Sequence, residues 1–233
     1  MKNLCKIGPG KLVCGTKSEP IENLSGFAGR LEIEPNFLDK VITGDESWVF
    51  DYDPETKRQS AEWHMKSSPR PKKARMSRSR VKTMIIVFFD SRGIVHKEFV
   101  PPGQTVNHAF YKDVLERLRK RVQRVRTDIA DDWVLHHDNT PAHTALSIRE
   151  FLAKSIPVLP HPPYSPDLAP CDFCLFPKLK LKLKGRHFGT MENTTNELHT
   201  LTENYFRYCY DQWKERWSHC VTSQGSYFEG DKL

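Results

Sequence analysis

The sequence lacks any long apolar run. The longest, residues 84–89 (MIIVFF), falls far short of the roughly 20 residues that a membrane-spanning helix needs. The first fifteen residues (MKNLCKIGPGKLVCG) hold no continuous apolar stretch of the kind a secretory leader requires, so a soluble, intracellular setting is expected. Cysteine is sparse and unpatterned. The six, at positions 5, 14, 171, 174, 209 and 220, make no spaced framework, which favours reduced thiols in a chain of this length. Cys171 and Cys174 form a lone CxxC. No second pair, nor two histidines, follows at the spacing a structural zinc site would need. Internal repeats are also missing.

Acid is missing from one stretch in particular. Residues 66–80 carry seven basic side chains (Lys66, Arg70, Lys72, Lys73, Arg75, Arg78 and Arg80) and no carboxylate, with Pro69, Pro71 and four serines arguing for a loop or arm. The formal charge of the whole chain is +7, an excess that suits a polyanionic partner because surface cations release counterions from a phosphate backbone. A solvated loop, or a nuclear localisation patch at residues 72–75, is the competing reading of the arm.

The remaining text is that of a globular protein, 38% hydrophobic and 11% aromatic, which excludes a disordered polymer. Residues 41–52 read as a strand around Gly44, Asp45 and Glu46. Residues 81–89 and 94–100 read as a hairpin across the turn Asp90-Ser91-Arg92-Gly93. From Asn107, Phe110, Val114, Leu118, Val122 and Val125 recur at helical spacing, with Arg117, Arg119, Lys120, Arg121, Arg124 and Arg126 elsewhere on the surface. That basic face is either a solvated exterior or a surface turned toward DNA. Residues 133–137 form a further strand ending at Asp138. Thr140-Pro141 then offers a cap and first-turn proline for one helix to about residue 154. Val158-Leu159 is a short strand, the proline-rich residues 157–170 are a stiff loop, and Asp172 opens the next helix. Residues 178–184 alternate Lys and Leu but are read from context as helix, and residues 192–217 as helical and packed back on the core. The element order implies an α/β fold whose sheet mixes antiparallel and parallel strands.

Phosphodiester cleavage needs an activated water or hydroxyl and charge neutralisation in the transition state. Two divalent ions supply both, held by a few carboxylates from converging elements. Asp45 in a first strand, Asp138 at the end of a later one and Asp172 at a helix start meet that demand. With 29 acids in the chain, however, position alone selects nothing. The flanking text does. ITGDESW (42–48), HHDNTPAH (136–143) and PHPPYSPDLAPCDF (160–173) resemble the three catalytic-aspartate blocks of mariner transposases, within the Tc1/mariner superfamily, and the resemblance runs from about residue 36 to 231.

The resemblance implies a ribonuclease-H-like catalytic domain over residues 41–190, a basic clamp-like loop at 51–80 that contacts DNA and a partner subunit, and a helical C-terminal extension at 191–233. Residues 1–40 are left as a remnant without an assigned fold. It implies that Asp45, Asp138 and Asp172 are the metal ligands, that Mg²⁺ or Mn²⁺ is the cofactor with two ions per site, that DNA and a second copy of the chain are the partners, and that the setting is nuclear. Around these blocks, Asn139 and His143 are read as capping or positioning residues. His136 and His137 are read as strand residues, Trp48 as core, and Tyr164 to Asp167 as a loop that aims Asp172. The chain departs from the family pattern in three ways. Too few residues precede Asp45 for two helix-turn-helix units, the stretch after Met191 looks short, and thirty-three residues separate Asp138 from Asp172 where the family has thirty-four. The 154–157 junction is the expected place of that loss. A truncated or decayed copy is the expectation, with a non-catalytic DNA-binding derivative as the alternative. A hydrolase acting on RNA would share the fold but not the flanking blocks.

Overall fold

A computed structural model describes residues 34, 36–61, 63, 65, 76–185 and 191–222. Its centre is a five-stranded sheet in the order β3-β2-β1-β4-β5, formed by β1 (Val41–Phe50), β2 (Lys82–Asp90), β3 (Gly93–Phe99), β4 (Val134–His136) and β5 (Val158–Leu159). β1, β2 and β3 are antiparallel neighbours, whereas β4 and β5 run parallel to β1. This is the mixed sheet expected of the element order.

β2 explains the apolar run in the sequence. Successive side chains of a strand point to opposite faces, and both faces of β2 are covered. Ile85, Val87 and Phe89 enter one core with Val41, Leu175, Leu179, Tyr210, Trp213 and Trp217. Ile86 and Phe88 enter a second core with Ile42, Tyr111, Val114, Leu118 and Ile148. The second core is roofed by α1 (His108–Val125), whose apolar stripe is the one read from the sequence and whose first turn is capped by Asn107 Oδ1 accepting from the Phe110 amide at 2.9 Å. The first core is closed by α4 (Phe176–Leu183), α5 (Met191–His199) and α6 (Glu203–Thr222). The described part of the tail is therefore helical and packed on the sheet, as two helices. The Tyr210 hydroxyl ties α6 to the sheet by donating toward the carbonyls of Val41 (2.8 Å) and Phe89 (3.2 Å).

At the β2–β3 turn, Asp90 is fully buried. Its Oδ1 accepts from the amides of Arg92 and Gly93, and Arg126 grips both carboxylate oxygens. Gly93, at φ 146°, supplies a backbone conformation that side-chain-bearing residues rarely adopt.

Four expectations are corrected. The helix expected from Pro141 to about residue 154 is broken into α2 (Pro141–Thr144) and α3 (Leu146–Ala153), because Ala145 is extended at φ −57°, ψ 147°; Thr140 makes no side-chain cap bond. Asp172 does not open a regular helix but sits in a wider π-helical turn, Cys171–Leu175, that leads into α4. Cys174 and Cys209 are not free thiols. The packing of that turn against α6 brings their Cα atoms to 5.9 Å, and they are joined as a disulfide across 35 residues of sequence. Trp48 is not core, since it points outward from β1, 41% exposed, with Lys82 Nζ 4.1 Å above its ring.

Candidate active site

The parallel pairing of β1 with β4 sets the site. Thr43 lies opposite His136, so Asp45 and Asp138, each two residues further on, are delivered to the same end of two adjacent strands. Such strands lie about 4.8 Å apart. Gly44 makes room for this arrangement, since a Cβ there would come within 2.1 Å of the Phe88 ring. Asp172 arrives from the π-helical turn, an irregularity common at functional sites. Its amide donates to the Ala169 carbonyl at 2.8 Å, anchoring the turn to the end of the proline-rich loop.

The three carboxylates differ sharply in environment. Asp45 is buried, and its Oδ1 has no hydrogen-bond partner among the described residues. Burial first, and then the charges of Glu46, Asp172 and Asp138, push its carboxyl well above the usual range. All of these acids thus lie within electrostatic reach of Asp45. Asp138 is opposite in character. Although burial opposes ionisation, His143 and Thr140 outweigh it and hold the carboxyl far below its ordinary value. Asp138 Oδ1 lies 2.7 Å from His143 Nδ1 and accepts from the Thr140 amide at 3.1 Å. Asp172 is exposed. Among the described residues, no three His, Cys, Asp or Glu side chains close to metal-ligating distance.

A layer of aromatic and histidine side chains lies under these acids. His143 is buried and bridges two of them, with Nε2 3.0 Å from Glu46 Oε1 and Nδ1 on Asp138. Burial alone would lower its pKa, but Asp138 and Glu46 raise it to about 9, so the ring is a cation that donates from both nitrogens. It stacks on Tyr111 at 3.8 Å and on His137 at 5.0 Å. The Tyr111 hydroxyl lies 2.9 Å from His137 Nδ1. His136 lies between Thr43 Oγ1 (2.9 Å) and His161 Nδ1 (3.1 Å). Burial keeps His136, His137 and His161 neutral, the last two at about 3 and about 4. Asn139 Nδ2 donates to the His161 carbonyl at 2.6 Å, fixing the proline-rich loop.

In geometry Asn139 holds the His161 carbonyl and His143 lies between Asp138 and Glu46, while His136 and His137 are buried at the end of β4. Sequence reasoning missed Glu46, Tyr111 and His161. Two of them lie inside the aspartate blocks, but Tyr111 comes from α1, and no local signal marks its approach. Of the basic arm, Lys66, Arg70, Lys72, Lys73 and Arg75 lie outside the described residues. Arg78 is exposed, 2.8 Å from Asp53 and over the Phe50 ring, and Arg80 is exposed. Neither approaches the carboxylates in any described contact. Lys180 on α4 does feel them. Burial lowers its pKa, and Asp172 and Asp45 partly restore it.

The donor set suits a hard divalent cation. Mg²⁺ and Mn²⁺ favour carboxylate oxygen, and a buried carboxylate oxygen with no donor, among three further acids, requires either a proton or a cation.

A transposase family model that describes a partial DDE domain matches residues 53–131. The mariner Mos1 transposase of Drosophila mauritiana is 35% identical over 206 residues, which is 83% of this chain and 58% of that protein. The Mos1 paired-end complexes with Mn and with Mg each match at a TM-score of 0.82 and 32% identity, covering 98% of this chain and 69% of theirs. The chain belongs to the mariner transposase family. The isolated Mos1 catalytic domain is covered completely by 96% of this chain, at a TM-score of 0.76 and 29% identity, so the mixed sheet and its helices are the ribonuclease-H-like fold of a mariner catalytic domain. The chain spans 58% of the length of the curated mariner relative. Divalent metal and transposon-end DNA accompany that relative in its solved structures.

Proposed function

We propose that this chain is the catalytic part of a mariner-type transposase, which cuts DNA strands and joins the freed 3′ ends to new DNA. In this reading Asp45, Asp138 and Asp172 hold two Mg²⁺ or Mn²⁺ ions. The observation that carries it is the buried, unpartnered Oδ1 of Asp45, set beside Asp138 by the β1–β4 register and within the field of Asp172. When bound, the metal would activate the attacking oxygen and neutralise charge on the phosphate. The chain's own residues prepare for this. Thr140 and His143 keep Asp138 ionised, and His143 also orients Glu46. The covered floor of His136, His137 and Tyr111 excludes water from beneath the acids. The residues that form the catalytic unit are 41–190, with 191–233 as a helical extension. The basic arm, including Lys66, Arg70, Lys72, Lys73, Arg75, Arg78 and Arg80, contacts DNA and a second copy of the chain, and the setting is nuclear.

The assay is cleavage and strand transfer on pre-nicked and pre-cut DNA with Mn²⁺. The parent chain cuts, and Asp138→Ala loses at least 100-fold; equal activity in the two proteins rules out the assignment.

A second reading, a DNA-binding derivative without catalysis, is favoured by one observation. Asp138 Oδ1 is already taken by His143, and the three carboxylates are not closed to ligating distance among the described residues. It predicts salt-dependent duplex binding with no cleavage in either metal.

A further inference from the structure

A groove of about 560 Å³ lies on the outer edge of β3, two strands away from β1. α1 forms one wall, and α5 with the start of α6 forms the other. Its lining includes Arg92, Lys97, Arg117, Lys120, Arg121 and Arg124, together with two histidines and, among the described residues, no carboxylate. Acids outside the lining neutralise only part of this charge. Glu98 receives Arg117 through two bonds of 2.7 and 2.8 Å, and Asp128 receives Arg92 at 2.8 Å. Lys120, Arg121 and Arg124 have no carboxylate partner among the described residues. Lys97 is part-buried and meets His199 Nε2 at 2.8 Å instead of an acid. Lys120, Arg121 and Arg124 therefore share one face of a rigid element with the paired Arg117, lie beside an edge strand, and are left uncompensated among the described residues.

Their spacing suits a linear polyanion. Arg117 to Arg124 spans seven residues, about 10 Å of helix at 1.5 Å per residue. Along β3 itself, Gly93 to Lys97 spans about 13 Å, with Arg92 in the turn just before it. A strand of duplex DNA presents one phosphate per ~3.4 Å of axis, so a groove of this length faces about three. The apolar floor of Ile94, Leu198, Leu201 and Phe206 lowers the local dielectric and strengthens each charge contact.

We propose that this groove binds the phosphate backbone of duplex DNA, as a surface separate from the carboxylate end of β1 and β4. It rests on the catalytic reading only for the choice of DNA as the polyanion. On that choice, the basic face of α1 is a DNA surface rather than a solvated exterior.

The test is duplex binding by the full chain in EDTA, where cleavage is not read, across 50 to 200 mM salt. The triple variant K120A/R121A/R124A, checked for native circular dichroism, binds at least 10-fold more weakly at 100 mM salt. Its slope of log K against log salt falls by about 2–3, near 0.9 for each phosphate that is no longer neutralised. The variant R121K/R124K, which keeps the charge, retains the slope. Unchanged affinity and slope in the triple variant overturn the proposal. So does a poly-glutamate peptide that binds the parent more tightly than DNA and loses that binding in the triple variant while DNA binding stays. Cleavage that is equal in the parent and in Asp138→Ala, with groove binding intact, overturns the catalytic reading alone, so the two failures are distinguishable.

Discussion

On the proposed reading, Asp45 is the residue on which both stability and chemistry turn. Its Oδ1 has left water without gaining a donor, and Glu46, Asp172 and Asp138 oppose its charge. An unsatisfied buried polar group costs about 1–3 kcal/mol, and more when charged. Asp45→Asn therefore stabilises the metal-free protein. In EDTA its Tm rises by roughly 2–12 °C, at about 2–4 °C per kcal/mol for a chain of this size. Calorimetry that finds a lower Tm would mean that the carboxylate is already satisfied without metal. The neighbouring residue constrains the same strand sterically. A Cβ at Gly44 would stand 2.1 Å from Phe88 Cδ1, and Phe88 is fully buried with no room to retreat. Gly44→Ala should cost about 1–3 kcal/mol by overpacking, read as a shifted urea midpoint with unchanged slope.

Between elements, one ion pair links the β3 edge to α1. Burial raises the Glu98 carboxyl, but His96 and Arg117 outweigh it and hold it at about 2, against 4.5 when unfolded. A depressed acid contributes stability that is complete above the unfolded value and is lost as pH falls from about 4.5 toward 2. Glu98→Gln should flatten that part of the profile, so that urea midpoints at pH 5 and pH 2.5 differ less than in the parent; an unchanged difference removes Glu98 from the account. At this scale the sequence was legible where periodicity is strong. The double-sided run of β2, the Asp90–Gly93 turn and the stripe of α1 each follow from local spacing. The break at Ala145 and the π-helical turn at Asp172 were not legible. Both depend on what lies across the fold: the His143 ring must reach Glu46 and Asp138, and Cys174 must meet Cys209. For the proposed site, the blocks singled out Asp45, Asp138 and Asp172 because their flanking text is distinctive. Tyr111 contributes only through a tertiary approach. Trp48 defeats a local reading because an aromatic on an alternating strand does not reveal which face is covered.

For the molecule as a whole, the Cys174–Cys209 disulfide joins the turn that carries Asp172 to α6, the long helix that covers the first core. Removing such a crosslink typically costs about 2–4 kcal/mol. Guanidinium denaturation with and without reductant should show that loss in the parent and none in a Cys174→Ser/Cys209→Ser variant; a parent indifferent to reductant would mean that the pair contributes nothing to stability. The central claim, that three aspartates from β1, the end of β4 and the π-helical turn share a divalent metal site, is tested most directly by Mn²⁺ binding. Calorimetric titration of the parent and of Asp45→Asn, Asp138→Asn and Asp172→Asn, without DNA, should show saturable binding in the parent and at least a 10-fold weaker affinity in each variant. Mn²⁺ affinity unchanged in all three variants would contradict the account.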